Sequence, residues 1–287
     1  MAANNYYSDI SSIAPNIQED AIFIVREAGI MQSLVTVYRD ATGLNPRVGY
    51  KYNAGTAQIV GESDDLTSRA FTPSADQTLT PAEIGLQFFV TDSRAESDAP
   101  ENIITDAGRE LGFAALDLVE SHLIGDMASL SGGSIGATGT ALTWGYVAAA
   151  IAQARYVNKS INIPLACVIH GYQAAVLAKA ASIAGATTIA APSVADQVTR
   201  QGLSQAFTFM NVPIYQVFGG LDSTDFHGGV FPRVALAIDW RRGIRVEPQR
   251  DASRRGTEFN MSAVYAHGVW RPDRGIEMYF DASAPTS

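Results

Sequence analysis

The chain has 287 residues, of which 47% are hydrophobic and 17% are charged, with one cysteine and a formal net charge of −9. The hydrophobic content excludes an intrinsically disordered chain, and the lone cysteine excludes a disulfide-stabilised scaffold. The net acidity argues against a protein whose main task is to hold phosphate backbones. Because no apolar run reaches the roughly eighteen residues of a membrane span, we expect a soluble protein without membrane contact, made in a cytoplasm.

The scarcity of charge, and of lysine above all, indicates an assembly. Ordinary soluble domains carry roughly 25% charged residues, whereas this chain has 17%, with three lysines beside seventeen arginines. Centres of subunit interfaces lose charged residues and lysine but keep arginine and aromatic side chains. The composition therefore favours an obligate oligomer over a lone globule.

Residues 1–45 are predicted to form an N-terminal arm with a short helix, and residues 46–95 an extended hairpin loop. Two runs alternate with the period of half-buried strands, Val48, Tyr50 and Tyr52 in the first and Ile84, Leu86, Phe88 and Val90 in the second. The tip between them carries the acids Glu62, Asp64, Asp65 and Asp76 against Arg69 alone. An apolar face on so long a hairpin needs a partner, so we expect Leu86 and Phe88 to contact a neighbouring subunit.

A long helix is predicted over 99–127, and a glycine-rich loop follows it, so that helix and loop together occupy residues 96–142. Asp98 and Pro100 provide a plausible cap and first-turn proline. The predicted apolar stripe consists of Ile103, Ile104, Ala107, Leu111, Ala114, Ala115, Leu118 and Leu123.

Residues 143–237 alternate between helical and strand patterns, and residues 238–287 continue as β structure. Helical spacing begins at Trp144 and again in GYQAAVLAKAA, whereas PLACVI, VPIYQVF and VFPRVALAID are predicted strands. The last segment contains IDWRRGIRVEP, EFNMSAVYAHGVW and RGIEMYF, which we also interpret as strands. The fold class predicted from this order is α+β.

The clearest charge pattern is a run of arginines between residues 241 and 255. The six arginines are Arg241, Arg242, Arg245, Arg250, Arg254 and Arg255. Only Glu247 and Asp251 oppose them within that window, so it is about +4 in an acidic chain. A solvated face and a nucleic-acid contact are both open interpretations. We favour pairing between subunits, with the hairpin acids Glu62, Asp64 and Asp65 as candidates, because arginine forks suit carboxylates.

One motif has the form of a hydrolase nucleophile. Gly132 to Gly136 reads G-G-S-I-G around Ser134, with Asp222 or Asp225 and then His227 or His267 following in the order of a catalytic triad. A nucleophile elbow needs a strand before the serine and a helix directly after it. Here a helix ends before the motif and a loop is predicted to follow, so we interpret it as a mobile glycine-rich loop.

The segment LDSTDFHGG brings Asp222, Asp225 and His227 together, which is a possible set of ligands for a divalent metal. Capped turns have the same composition, and the sequence offers no second cluster of ligands. Cys167 lies within an apolar run, which favours a buried, inert thiol. We therefore predict no catalytic site, no metal and no cofactor.

Two segments carry a resemblance to a known family: FMNVPIYQV, and the run RDASRRGTEFNMSAVYAHGVWRPDRGIEMYFDAS. With the order of arm, hairpin, long helix and mixed domain, they resemble the major capsid proteins of tailed bacteriophages of the siphovirus type, with the Hong Kong 97-like fold. The resemblance implies that residues 143–237 form mainly the axial domain. It places residues 96–142 and 238–287 in the peripheral domain.

The resemblance also implies a function and partners. Hexamers and pentamers of the chain would tile an icosahedral shell around double-stranded DNA held without sequence specificity, in a virion assembled in the host cytoplasm. A portal, a separate scaffolding protein and possibly a decoration protein would be its partners. The alternatives are an encapsulin-like nanocompartment shell and, from another class, an α+β hydrolase that uses Ser134.

Overall fold

The computed structural model describes residues 29–52, 57, 59–61, 68, 70–93, 103–184 and 206–285. The predicted arm up to residue 28 and the hairpin acids Glu62, Asp64 and Asp65 lie outside these residues. Within these ranges, none of the helices has the length and apolarity needed to cross a membrane.

Four helices and thirteen strands make up the described parts of the chain. The helices are α1 (Ile30–Leu34), α2 (Ile103–Gly125), α3 (Trp144–Asn158) and α4 (Gly171–Ala184), with 3-10 turns at Asp126–Ser129 and Pro272–Arg274. The first strands are β1 (Thr36–Tyr38), β2 (Arg47–Tyr52), β3 (Pro73–Leu79), β4 (Ala82–Thr91), β5 (Ser134–Ala141) and β6 (Leu165–His170). The later strands are β7 (Ala206–Phe209), β8 (Val212–Val217), β9 (Leu221–Asp222), β10 (Asp225–Pro232), β11 (Leu236–Asp251), β12 (Gly256–Val269) and β13 (Ile276–Asp281).

Helix α2 is the long helix that the sequence predicts, and it forms one side of the larger core. Its buried residues recur every fourth position, at Leu111, Ala115, Val119 and Leu123, which is the spacing of one helix face. Leu118 was predicted to be part of the stripe, but it is 38% exposed because Val119 occupies the buried position instead.

A four-stranded sheet in the order β1-β11-β12-β4 contributes to the same core. The prediction that the run around Leu86 and Phe88 forms the second strand of the hairpin is wrong. That run is β4, which pairs antiparallel with β12 along its whole length, with Phe88 opposite Phe259. Leu86 and Phe88 therefore pack against the core of their own chain, so the argument that their apolar face needs a neighbouring subunit no longer holds.

The hairpin is a separate two-stranded ribbon, in which β2 pairs antiparallel with β3. Its second strand has the polar sequence PSADQTL, which lacks the alternation used to predict strands. The ribbon strands enclose residues 53–72 in sequence, and only two residues, Thr80 and Pro81, link β3 to β4.

The remaining strands form a mixed sheet in the order β5-β13-β10-β6-β8-β7, with β9 paired to β10. The glycine-rich segment that was predicted to be a loop contains the edge strand β5, parallel to β13. The predicted single strand VFPRVALAID is two strands, because the chain turns after β10, where the Ala235 amide donates to the Pro232 carbonyl at 2.9 Å. Strand β13 pairs with β10 and β5, in this sheet and not beside β11 and β12.

Candidate assembly surfaces

The ribbon exposes aromatic side chains that the described part of the chain does not cover. Tyr52 and Phe71 stack on each other with ring centroids 4.7 Å apart and planes 5° apart. They remain 55% and 73% exposed, and Tyr50 is similarly exposed. A two-stranded hairpin is marginally stable in water, so a ribbon with these side chains on its surface is a candidate contact element.

A buried ionic cluster attaches the ribbon to the four-stranded sheet. Arg47, the first residue of β2, donates from Nε to Asp239 Oδ2 at 2.8 Å, and a terminal nitrogen of Arg241 lies 2.8 Å from the same oxygen. Asp239 has no exposed surface, and the Arg241 side chain is only 5% exposed. Arg47 also pairs with the exposed Asp40. The cluster therefore fixes the base of the ribbon to strand β11.

A second set of contacts holds the ribbon against the turn that follows β12. Arg271 lies 3.5 Å from Asp76 and donates to the Tyr50 carbonyl at 3.3 Å. Gly49 lies so close to the Trp270 ring that a Cβ there would be 3.0 Å from it. The ribbon is thus anchored at its base on two sides.

The predicted arginine segment is described in full, and most of its charge is matched within the chain. Besides Arg241, Arg242 pairs with Glu83, and Arg250 binds both carboxylate oxygens of Asp92 at 2.5 and 2.6 Å. The Arg250 guanidinium lowers the pKa of Asp92. The predicted excess of about four positive charges counted only residues 241–255. The carboxylates that neutralise Arg242 and Arg250 lie outside that window, on β4 and directly after it.

Arg254 and Arg255 lie in the turn between β11 and β12, and both are exposed. Arg254 pairs with Glu258 at 3.1 Å, and its guanidinium lies 4.1 Å above the Phe89 ring. Arg255 is exposed, and its carbonyl accepts a hydrogen bond from the Asp92 amide at 3.0 Å. Contacts of these two arginines with another subunit stay a prediction.

Ser134 does not have the surroundings of a hydrolase nucleophile. It is the first residue of strand β5, so a strand follows it, and no strand ends just before it as an elbow requires. His267, one of the candidate bases, instead contacts Asp126, with 2.9 Å between Nδ1 and Oδ2. His227, the other, lies 2.7 Å from Glu277 through Nδ1.

Asp222, Asp225 and His227 do lie close together, on β9 and β10. The nearly buried Asp225 accepts hydrogen bonds from the Thr138 hydroxyl and from the Gly139 amide, the latter at 2.9 Å. The Thr138 bond, followed by the Gly139 bond, lowers the pKa of Asp225. Asp225 thus fastens strand β5 to β10. No group of three or more possible metal ligands occurs among the described residues.

Sequence reasoning missed a pair of stacked imidazoles between α2 and β12. The rings of His122 and His267 stack with centroids 4.4 Å apart, and His122 Nδ1 lies 2.9 Å from the Tyr265 hydroxyl. Burial, and then the neighbouring His267, lower the pKa of His122. Because these residues are far apart in sequence, no local motif reveals the pair.

Cys167 is fully buried in strand β6, as its apolar surroundings predict. Burial raises the pKa of its thiol to about 12. The thiolate is therefore scarce near neutral pH, and the side chain serves packing.

Comparisons with known proteins identify the fold. No protein-family model matches the sequence, and no curated protein is similar to it in sequence. A structure from Mycobacterium phage Che8 superposes with a TM-score of 0.70 at 16% identity, covering 88% of this chain and 91% of the other. The capsid of cyanophage P-SCSP1u gives 0.64 at 16% identity, with 89% of each chain covered. A virus-like particle from Pyrococcus furiosus gives 0.59 at 11% identity, covering 92% of this chain and 98% of the other.

These similarities extend over almost the whole of each chain. The same overall architecture is found in the capsid or head structures of several phages. The chain therefore has the mixed α+β, Hong Kong 97-like capsid fold that its sequence predicts.

Proposed function

We propose that this chain is the major shell protein of a tailed-phage head and assembles with itself into an icosahedral capsid. The observation that carries the proposal is the similarity of fold, over nearly nine-tenths of the chain, to structures of phage capsids. Two observations support the proposal. The ribbon exposes aromatic side chains that a neighbouring copy would bury, and the chain has few charged residues, as is typical of surfaces covered by other subunits.

The finer parts of the proposal concern organisation and partners. Hexamers and pentamers would form the shell in the virion, and their interior would hold double-stranded DNA without sequence specificity, since an acidic chain binds phosphate weakly. A portal, a separate scaffolding protein and possibly a decoration protein would complete the particle, which would be made in the host cytoplasm. The role is structural, with no catalytic step.

The assignment of regions to subunit parts is proposed on the same basis. Residues 1–45 would be the arm and 46–95 the extended loop, while 143–237 would form mainly the axial domain. The peripheral domain would comprise 96–142 and 238–287, although β13 pairs within the mixed sheet. Inter-subunit contacts are proposed for the hairpin acids and for Arg254 and Arg255.

A second candidate is a protein-filled shell of the encapsulin type, which the similarity to the Pyrococcus furiosus particle favours. Expression of the chain alone, followed by size-exclusion chromatography and negative-stain microscopy, tests both candidates. Closed particles are expected. Co-expression with the neighbouring genes then separates them, because a phage shell acquires nucleic acid or scaffold, whereas a compartment acquires a folded enzyme. A stable monomer or dimer at high protein concentration, both for the chain alone and in the co-expression that supplies a scaffolding protein, would refute both.

A further inference from the structure

Two histidines fasten the end of helix α2 to strand β12. His122 lies in the last turn of α2, and its ring stacks on that of His267 with centroids 4.4 Å and planes 21° apart. His122 Nδ1 is 2.9 Å from the Tyr265 hydroxyl, and His267 Nδ1 is 2.9 Å from Asp126 Oδ2. Asp126 begins the 3-10 turn that follows α2. These four side chains, which we call the histidine clasp, therefore hold both the helix end and the turn against the sheet.

The histidine clasp lies where the chain passes from one large sheet to the other. Strand β12 belongs to the four-stranded sheet, whereas the turn at Asp126–Ser129 leads to β5, the edge strand of the mixed sheet. Met127 in this turn is fully buried in the core beside α2. Opening of the clasp would therefore loosen the segment that connects helix α2 to the mixed sheet.

Among the described groups, one negative charge faces the two imidazoles. The other groups that face the rings and can carry charge are Asp126 and Tyr265. Burial, and then Asp126, raise the pKa of Tyr265 to about 12, so its hydroxyl is neutral and Asp126 provides the single negative charge. Two carboxylates on the packed elements have other partners: Glu120 of α2 binds the start of α1, and Asp239 of β11 binds two arginines.

A second proton would disturb the clasp in two ways. Two imidazolium rings stacked at 4.4 Å repel each other, and Asp126 balances only one of the two charges. In addition, a neutral His122 ring can accept the Tyr265 hydroxyl hydrogen at Nδ1, whereas a protonated ring has no acceptor atom. In agreement, burial and then the neighbouring His267 lower the pKa of His122, and Asp126 opposes this effect only in part. The closed contact therefore favours a neutral His122.

We propose that the histidine clasp is an acid-released contact, which joins α2 and its turn to β12 while the two rings carry at most one proton and opens when both are protonated. Imidazole is the side chain whose charge normally changes between about pH 5 and 8. Because the pKa of His122 is lowered in the closed contact, opening takes up a proton and is favoured by acid. Opening is local, since the main-chain pairing of β12 with β11 and β4 does not depend on these side chains.

Hydrogen exchange of the unassembled wild-type chain tests the inference directly. Protection factors, which are corrected for the intrinsic pH dependence of amide exchange, are compared at about pH 7.5 and about pH 5. We expect the amides of residues 122–127 to lose at least tenfold in protection at the lower pH, whereas those of β6 keep theirs. Equal protection at both pH values would overturn the inference. An equal loss in β6 would also overturn it, because that result would indicate global acid unfolding.

Three variants separate an effect of charge from an effect of packing. Asp126→Asn keeps the size of the side chain but removes the balancing charge, so the clasp should open at a proton concentration at least tenfold lower and should take up two protons instead of one. A merely structural contact would not change the number of protons. His122→Gln should abolish the acid-dependent loss of protection. The matched control is His227→Gln, because His227 also stacks on an aromatic ring and faces a carboxylate but lies on β10, and this variant should respond like the wild type.

The outcomes of these measurements are independent of assembly. An acid response that persists in His122→Gln, or an unchanged number of protons in Asp126→Asn, would overturn the inference. Where a variant fails to fold, the exchange measurement on the wild type still decides. A clasp that stays closed in acid would overturn this inference alone, whereas failure of the wild type to form particles would refute the shell function alone.

Discussion

Removal of the buried carboxylate of Asp239 should be among the most damaging single substitutions in this protein. Asp239 is fully buried and holds Arg47 and Arg241 on one oxygen, each at 2.8 Å. At an effective dielectric constant of about 20, a contact at that distance is worth about 6 kcal/mol before desolvation is subtracted. Removing one member of such a cluster leaves buried guanidinium charge unpaired, for which measured losses are about 3–5 kcal/mol.

We therefore expect Asp239→Ala to lower the free energy of unfolding by about 3–5 kcal/mol, out of a total of about 5–15 kcal/mol for a typical domain. Urea unfolding of the unassembled chain, isolated by size-exclusion chromatography, gives this quantity. The matched control is Asp40→Ala, because Asp40 binds the same Arg47 from a largely exposed position. An exposed pair contributes at most about 1 kcal/mol.

A triple variant separates lost pairing from lost packing. Replacing Asp239 by Leu together with Arg47→Met and Arg241→Met removes all the buried charge at once, and we expect it to recover most of the lost stability. A loss for Asp239→Ala no larger than that of Asp40→Ala would refute the view that the cluster is a tightly coupled anchor of the ribbon.

Three further predictions follow from other contacts. Gly136→Ala should destabilise the chain strongly, because Gly136 has φ +102° and a Cβ there would lie 2.2 Å from the Tyr279 carbonyl oxygen. Gly139 has φ +68° but open space around it, so Gly139→Ala should cost only about 1–2 kcal/mol. Thermal unfolding of the two variants compares these losses of stability. The pKa of His122 is lowered in the folded chain, so the unfolded chain binds protons first, and stability should fall as pH drops below the ordinary value of 6.5. Urea titrations at several pH values check this, and His122→Gln should flatten the dependence; an unchanged slope would contradict it. Leu86→Asp should unfold the chain, because Leu86 packs against the core of its own chain. Folded subunits that fail to assemble are not expected, and native circular dichroism of the soluble variant would contradict the prediction.

The sequence was most informative where local periodicity is strong. Helix α2 could be predicted because its buried residues repeat every fourth position, and β6 because an apolar run of that length suits a strand covered on both faces. Strand β3 could not, because PSADQTL has no alternation and its pairing with β2 depends on the ribbon geometry. Strand β5 could not be predicted either, because its glycines are typical of a loop. It is held in the sheet by pairing with β13 and by hydrogen bonds to Asp225, which lie far away in sequence.

The candidate surfaces show the same limit. The arginine segment was visible as a charge run, but its partners were not, because Glu83 and Asp92 lie about 160 residues upstream of the arginines that they bind. The run of Ile84, Leu86, Phe88 and Val90 was correctly identified as a strand with one apolar face. Its neighbour was misassigned because a period of two gives the face of a strand and not its pairing partner.

Strand β6 has a consequence for how the subunit responds to mechanical load. Its side chains alternate between two cores, with Val168 in the core beside α2 and both Cys167 and Ile169 in the core beside α3 and α4. Strand β6 therefore separates the two cores and contributes side chains to both. Close-packed protein interiors have low compressibility. A force applied to one core is therefore transmitted to the other through β6, and the two cores should deform together. Deformation under load should be confined to the ribbon.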